Sequence, residues 1–331
     1  MSSLFSCNEK KEPRSIENAY YYWKTNFSLN QSELDAIRQQ KVNTLYIKYF
    51  DVDWDNAQQR PAPVAKLTSS HPPLPPDMQI IPTVFITNNC ILHLKATAAA
   101  ELAKNICTLI GELSLLHGLQ NIPELQIDCD WTVTTKDAYF ALIKEIRKLQ
   151  AKPVSVTIRL HQVKYITTSG IPPADRGMLM CYNMGNLKNP STKNSIIEMD
   201  ELERYIGGLS SYPLELDIAL PLFEWKVLFR NNVYKGLVQY LPAGNLTRDF
   251  TTHNGNRYTL LKDTLLSGYE LKKGDVLRDE TSDYEVIINS AGTVAGKLRN
   301  TRLRVSLYQL DSVLLKKYSQ HELETLYNSL R

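Results

Sequence analysis

Eight short runs in which apolar and polar residues alternate, many of them followed by a stretch with the period of an amphipathic helix, limit what this chain can fold into more than any other feature. The runs fall at 19–23, 44–50, 80–86, 124–130, 154–161, 178–182, 214–220 and 301–310. Helical stripes lie between and after them. Leu102, Ile106, Leu109, Ile110 and Leu113 share one face across 98–117, and Tyr139, Leu142, Ile143 and Ile146 share another behind a cap at Thr134. Ser319-x-x-Glu322 is a capping box, followed by Leu323, Leu326, Tyr327 and Leu330 at helical spacing. Shorter helices are expected over 32–40 and 200–209. A strand that feeds a helix and then another strand makes a parallel pair with a crossover, so eight such strands in 331 residues predict an α/β fold, a (β/α)8 TIM barrel. A doubly wound open sheet would more often carry a glycine-rich phosphate turn after its first strand, and Tyr20-Tyr21-Tyr22-Trp23-Lys24-Thr25 is not one.

Two departures from an ideal barrel are expected. The second crossover, 53–78, holds Pro61, Pro63, Pro72, Pro73, Pro75 and Pro76, and proline breaks helices through clash and a lost donor, so this connection should be an irregular loop. The stretch 222–300 carries its own short runs, 258–266 and 284–289, with turns at Asn254-Gly255 and Lys273-Gly274-Asp275. It reads as a segment inserted before the last strand, over the barrel mouth. The domain plan is therefore a tether over 1–15 and a barrel over 16–331.

Composition narrows the function classes. With 43% hydrophobic and 22% charged residues the chain has the make-up of an ordinary globular protein. A net charge of +3 without a dense Lys/Arg run gives no electrostatic footprint for nucleic acid. No apolar run reaches the length of a membrane span. The five cysteines form no Cys-x-x-Cys pair, and Cys107, Cys129 and Cys181 sit where small apolar residues are wanted, as inert thiols. Cys7 differs: Leu4-Phe5-Ser6-Cys7 resembles the lipobox of bacterial lipoproteins, and the polar run 8–14 suits a flexible tether. The expected membrane contact is a lipid anchor at Cys7 alone, which implies the bacterial cell envelope.

In a barrel strand the side chains alternate between the helix layer and the interior. Here the interior parity is polar: Gln126, Asp128 and Asp130 on the fourth strand, Ser155, Thr157, Arg159 and His161 on the fifth, Tyr182 on the sixth, Glu215 and Asp217 on the seventh. Tyr46 and Lys48 on the second and Arg304, Ser306 and Tyr308 on the last complete the set. The deeper members can equally be buried ion pairs, Asp217 with Arg304 and Asp128 with Arg159. Asp130, His161 and Tyr182 are expected at C-terminal strand ends, where barrel active sites form. No His-x-His or His-Glu-x-x-His spacing and no Gly-x-Ser-x-Gly elbow is present, so neither a metal nor a cofactor is implied.

Leu125-Gln126-Ile127-Asp128-Cys129-Asp130-Trp131-Thr132 resembles the fourth-strand Asp-x-Asp-Trp-Glu signature of the chitinase and endo-β-N-acetylglucosaminidase family of glycoside hydrolases. Tyr21-Tyr22-Trp23, Met180-Cys181-Tyr182-Asn183 and Leu307-Tyr308-Gln309-Leu310-Asp311 resemble its first, sixth and last strands, so the likeness spans about 19–331; the whole pattern is closer to glycosidase-like bacterial lipoproteins. The resemblance implies a carbohydrate ligand, with an aspartate holding the acetamido group of the sugar and a glutamic acid protonating the leaving oxygen. That glutamic acid falls at Thr132, and the sixth-strand acid at Asn183. Asp130, with Asp128 beside it, and Glu224 in Pro221-Leu222-Phe223-Glu224-Trp225 resemble the carboxylate pair of other barrel glycosidases. Trp23, Trp54, Trp131 and Trp225 follow strand ends, where rings can stack on a sugar. The expected function is to act on or bind a glycan, one containing N-acetylhexosamine being what the resemblance implies, with Trp23, Trp131, Arg159, His161, Tyr182, Asn183, Asp217, Trp225 and Tyr308 contacting it. The alternative is a non-catalytic surface lipoprotein that binds carbohydrate or serves as an assembly platform.

Overall fold

The computed structural model describes residues 14–239, 241 and 243–331, so Cys7 and the first thirteen residues of the expected tether lie outside the described residues, while Ser15, placed in the tether by the sequence, already begins the first strand. The barrel strands are Ser15–Tyr22, Thr44–Asp55, Gln79–Ile86, Leu125–Asp128, Val154–Arg159, Arg176–Met180, Leu216–Pro221 and Arg302–Tyr308. They pair in parallel in that order, and the first strand closes the ring by pairing with both the second and the last, Tyr21 opposite Tyr46 and Ala19 opposite Ser306. The fold is a (β/α)8 barrel. Closure follows from the sequence pattern: Leu45, Ile47, Ile127, Val156, Ile158 and Leu179 are buried, while the opposite parity supplies the polar interior.

The helices form where period and caps agree. Ala99–Leu116 buries Leu102, Ile106, Ile110 and Leu113, and Gln320–Asn328 starts at the Ser319/Glu322 capping box. The helix placed behind Thr134 starts one residue later, as Lys136–Leu149 with Thr135 at its N-cap. The second crossover contains no helix. The second strand instead runs on to Asp55, whose carboxylate accepts from the Ala57 and Gln58 amides at 2.8 and 3.0 Å, and the chain returns as the antiparallel edge strand Arg60–Val64. Pro61 and Pro63 are tolerated there because an edge strand has one unpaired side.

The inserted segment folds as an antiparallel sheet of Trp225–Arg230, Val233–Val238, Thr251–Asn254, Arg257–Leu260 and Val276–Glu280, over its own small core of Val238, Leu241, Leu246, Leu260, Leu271 and Leu277. The run 284–289 is not a strand but the start of the helix Tyr284–Lys297, which buries Ile287, Ala291, Val294 and Ala295. Val286-Ile287-Ile288 has strand composition locally, and only the longer spacing reveals the helix.

The N-terminal end of the barrel interior is closed by paired charge. Arg304 donates to the Tyr46 hydroxyl at 2.7 Å, to Glu124 at 3.0 Å and to Glu17 at 3.1 Å. Asp217, expected to contact ligand or to pair with the Arg304 side chain, lies in this layer instead. It is bound by the Arg176 guanidinium at 2.6 Å and by the backbone N–H of Arg304 at 2.8 Å.

Candidate functional site

A cavity of about 560 Å³ opens at the C-terminal ends of the barrel strands, between the strand ends and the first residues of the insertion. Asp128, Asp130, Arg159, Tyr182, Asn183, Glu224, Trp225, Trp23 and Tyr308 all line it. Three residues expected with them do not.

His161 stands outside because the fifth strand ends at Arg159 and the helix Leu160–Lys164 begins at once, turning the imidazole to solvent. Trp131 is fully buried in the helix layer, stacked on Tyr139 at 5.1 Å, with its indole N–H donating to the Ser169 carbonyl at 3.0 Å. Asp217 is at the other end of the barrel, as described. Trp54 sits on the hairpin extension, stacked on His93 at 5.2 Å.

The polar part of the site comes from neighbouring strands. Asp128 ends the fourth strand pointing inward, nearly buried, and accepts from Thr157 Oγ1 at 2.6 Å. Asp130, two residues on and half exposed, is gripped by Arg159, whose Nε and Nη2 both donate to it, the latter at 3.2 Å. The fork leaves neither Asp130 oxygen unengaged. The expected Asp128–Arg159 pair is therefore an Asp130–Arg159 pair. Burial pushes the Asp128 carboxyl up to about 6; Arg159 opposes the shift and Asp130 adds to it. Burial also works against the Arg159 charge, but Asp130 and Asp128 more than offset this and raise its pKa. Glu224 forms an ion pair with Lys317.

The apolar part is a continuous run of rings. Trp23 packs on Tyr308 at 5.7 Å, Tyr308 on Tyr182 at 5.3 Å, Tyr182 on Phe223 at 5.6 Å and Phe223 on Trp225 at 5.1 Å. The Tyr182 hydroxyl donates to the Met180 sulfur at 2.9 Å, and burial, with Tyr308 nearby, raises its pKa well above the ordinary value. Asn183 takes up a left-handed conformation, φ 53°, as the chain leaves the sixth strand. Such conformations suit asparagine better than most residues.

Thr132, at the position of the resembled family's proton donor, is exposed and bonded into its own turn, its Oγ1 2.9 Å from that of Thr134. It does not line the cavity. Phe85, Met180, Phe223, Gln239, Gln309, Asp311, Val313 and Leu314 also line the cavity, though the sequence patterns do not mark them as site residues. Asp311 had a signal, since it closes the Leu307–Asp311 motif; here it pairs with Lys24 at 2.9 Å. Gln239 had none, because only the folded insertion brings it to the mouth.

Among the described residues no group of three or more His, Cys, Asp or Glu side chains is arranged to hold a metal, and no helix is long and apolar enough to cross a membrane. No protein-family model matches the chain, and no curated protein matches it in sequence. Solved structures do. The spore cortex-lytic enzyme SleL of Bacillus cereus superposes with a TM-score of 0.54 at 14% identity, over 95% of this chain and 74% of that one. A Group IV chitinase of Ostrinia furnacalis in complex with allosamidin gives 0.53 at 12%, over 96% and 98%. A class V chitinase of Nicotiana tobaccum in complex with NAG4 gives 0.51 at 12%, over 95% and 98%. The chain shares the barrel fold of these proteins, by a remote likeness.

Proposed function

We propose that this protein binds a glycan containing N-acetylhexosamine in the cavity at the C-terminal face of its barrel, without cleaving it by the route of the enzymes whose fold it shares. The observation that carries this reading is the ring run from Trp23 through Tyr308, Tyr182 and Phe223 to Trp225, set beside the Asp130–Arg159 pair in one cavity. Rings offer flat apolar surface to the faces of pyranoses, and a few fixed polar groups orient the hydroxyl and amide groups. Solved neighbours carry NAG4 or allosamidin, which supports the choice of ligand class. Thr132 supplies no proton at useful pH, and Asp130 is held on both oxygens by Arg159, which favours binding over hydrolysis.

One observation favours a second reading. Asp128, at about 6, holds a proton under mildly acidic conditions, and Glu224 provides a second carboxylate in the same cavity, so hydrolysis with Asp128 as acid is the competing chemistry. Titration calorimetry with the N-acetylglucosamine tetramer, followed by mass spectrometry of the recovered sugar, separates the two. Saturable binding with intact tetramer supports the first, and shortened products that vanish in Asp128→Asn support the second. The lipid on Cys7 and an envelope location belong to the same proposal, and metabolic labelling with a fatty-acid analogue, lost in Cys7→Ala, tests them.

A further inference from the structure

Glu280 ends the last strand of the inserted sheet, Val276–Glu280, and is fully buried. A buried carboxylate requires partners, and this one draws them from three parts of the chain. Its Oε1 accepts from Arg278 Nε at 2.5 Å, and its Oε2 accepts from Trp225 Nε1 at 2.7 Å and from the Ser195 hydroxyl. All three partners are donors, so only an acceptor with two free oxygens satisfies them together; a glutamine would turn an NH2 toward one of them.

The same cluster grips the loop that follows the sixth strand. Arg278, also fully buried, donates to the carbonyls of Asn189 at 2.7 Å and Leu187 at 3.0 Å. Ser195 lies on the returning limb of that loop, opposite the limb that starts at Asn183: the Asn183 N–H donates to the Ile196 carbonyl at 2.7 Å, and the Gly185 N–H to the Ser195 carbonyl at 3.2 Å. The limbs approach so closely that a Cβ on Gly185 would stand 2.9 Å from the Ser195 Cα. Trp225 and Asn183 both line the cavity; Trp225 is bonded to Glu280 directly, and Asn183 is tied to it through Ile196, the chain neighbour of Ser195.

We propose that Glu280 is a positioning residue for the candidate site: this one carboxylate fixes the plane of the Trp225 ring and the seat of the Asn183 loop, so that the inserted sheet sets the shape of the opening a sugar ring enters. The ligand in this proposal rests on the glycan reading above; the geometry does not.

The test uses full-length protein labelled with 5-fluorotryptophan, the Trp225 resonance being assigned by its loss in Trp225→Phe. Glu280→Gln is compared with the Arg278→Met/Glu280→Met double variant, which removes both buried charges and so remains informative if the single variant does not fold. In the folded variants the Trp225 resonance shifts and broadens while that of Trp131 stays in place. Affinity for the N-acetylglucosamine tetramer falls by about tenfold, the scale of losing one well-placed aromatic contact. In a Trp225→Phe background the same changes cost less, the part carried by the ring being gone and the part carried by the Asn183 loop remaining. An unchanged Trp225 resonance, or an equal loss of affinity with and without the indole, overturns the proposal. If the unmodified protein binds no tetramer, the glycan reading falls and the fluorine resonance alone decides whether Glu280 positions Trp225.

Discussion

Arg159 holds both carboxylate oxygens of Asp130 from the adjacent barrel strand, and the pair stands in the cavity beside the nearly buried Asp128. One strand end thus presents two carboxylates in opposite situations, one matched by a guanidinium and partly open to water, the other shielded and bonded to Thr157.

The pair contributes to stability as well as to recognition, because Asp130 is half exposed while the Arg159 side chain is only 17% exposed. Asp130→Asn leaves this guanidinium without its matching charge and is expected to cost about 1–3 kcal/mol of unfolding free energy. It should weaken tetramer binding by roughly tenfold, the scale of one hydrogen bond to a charged group. Urea denaturation and calorimetry on the same preparation measure both.

Asp128 makes stability depend on pH with a definite sign. Its folded pKa of about 6 lies above the ordinary aspartate value of 3.8, so between these values the folded state binds more protons and stability falls as pH rises. This contribution is present at pH 3 and lost by pH 7. Asp128→Asn, whose amide oxygen can still accept from Thr157, should lack this fall. Denaturation curves at pH 4, 5, 6 and 7 for both proteins give the difference, and parallel pH profiles would remove the burial argument.

Trp131 separates fold from site. It is fully buried on Tyr139 and absent from the lining, so Trp131→Ala is expected to cost about 3–5 kcal/mol of stability through the cavity it leaves. Tetramer affinity of the folded fraction should stay within about twofold, since no lost contact reaches the ligand.

Ligand charge follows from the cavity's own pairs. Arg159 is matched by Asp130, Lys317 by Glu224 and Lys24 by Asp311, and Asp128 adds a further acid. An anionic sugar therefore meets no unmatched cation in the lining. Neutral N-acetylglucosamine oligomers are expected to bind at least about tenfold tighter than uronic-acid oligomers of equal length, since like charge in a partly desolvated cleft is penalised. Competition titrations measure the ratio, and preference for the uronic acids would show that the pairs open on binding.

The barrel was legible because strand parity and helix period are local and repeat along the chain. Gln126, Asp128 and Arg159 point inward as alternation requires, and the Ser319/Glu322 box starts the last helix. What failed were positions set by where an element stops. His161 continues the alternation of the fifth strand on paper, but the chain turns into a helix at Leu160. Trp131 follows a strand end, yet its indole goes under the helix Lys136–Leu149, a choice made by packing against Tyr139. Asp217 lies on the interior parity as expected, but depth along the strand is not written in parity, and Arg176 claims it near the barrel base. The buried Glu280 cluster joins residues from 187 to 280, a relationship that no local spacing contains.

The most direct test of the account is to incubate the unmodified protein with the N-acetylglucosamine tetramer, following tryptophan fluorescence during titration and analysing the sugar by mass spectrometry afterwards. Binding without cleavage gives a saturable fluorescence change, reduced in Tyr308→Ala, with the tetramer recovered intact. Shortened products would contradict the non-catalytic reading and move the chemistry to Asp128 and Glu224, while no saturable change with any neutral oligomer would contradict glycan binding itself.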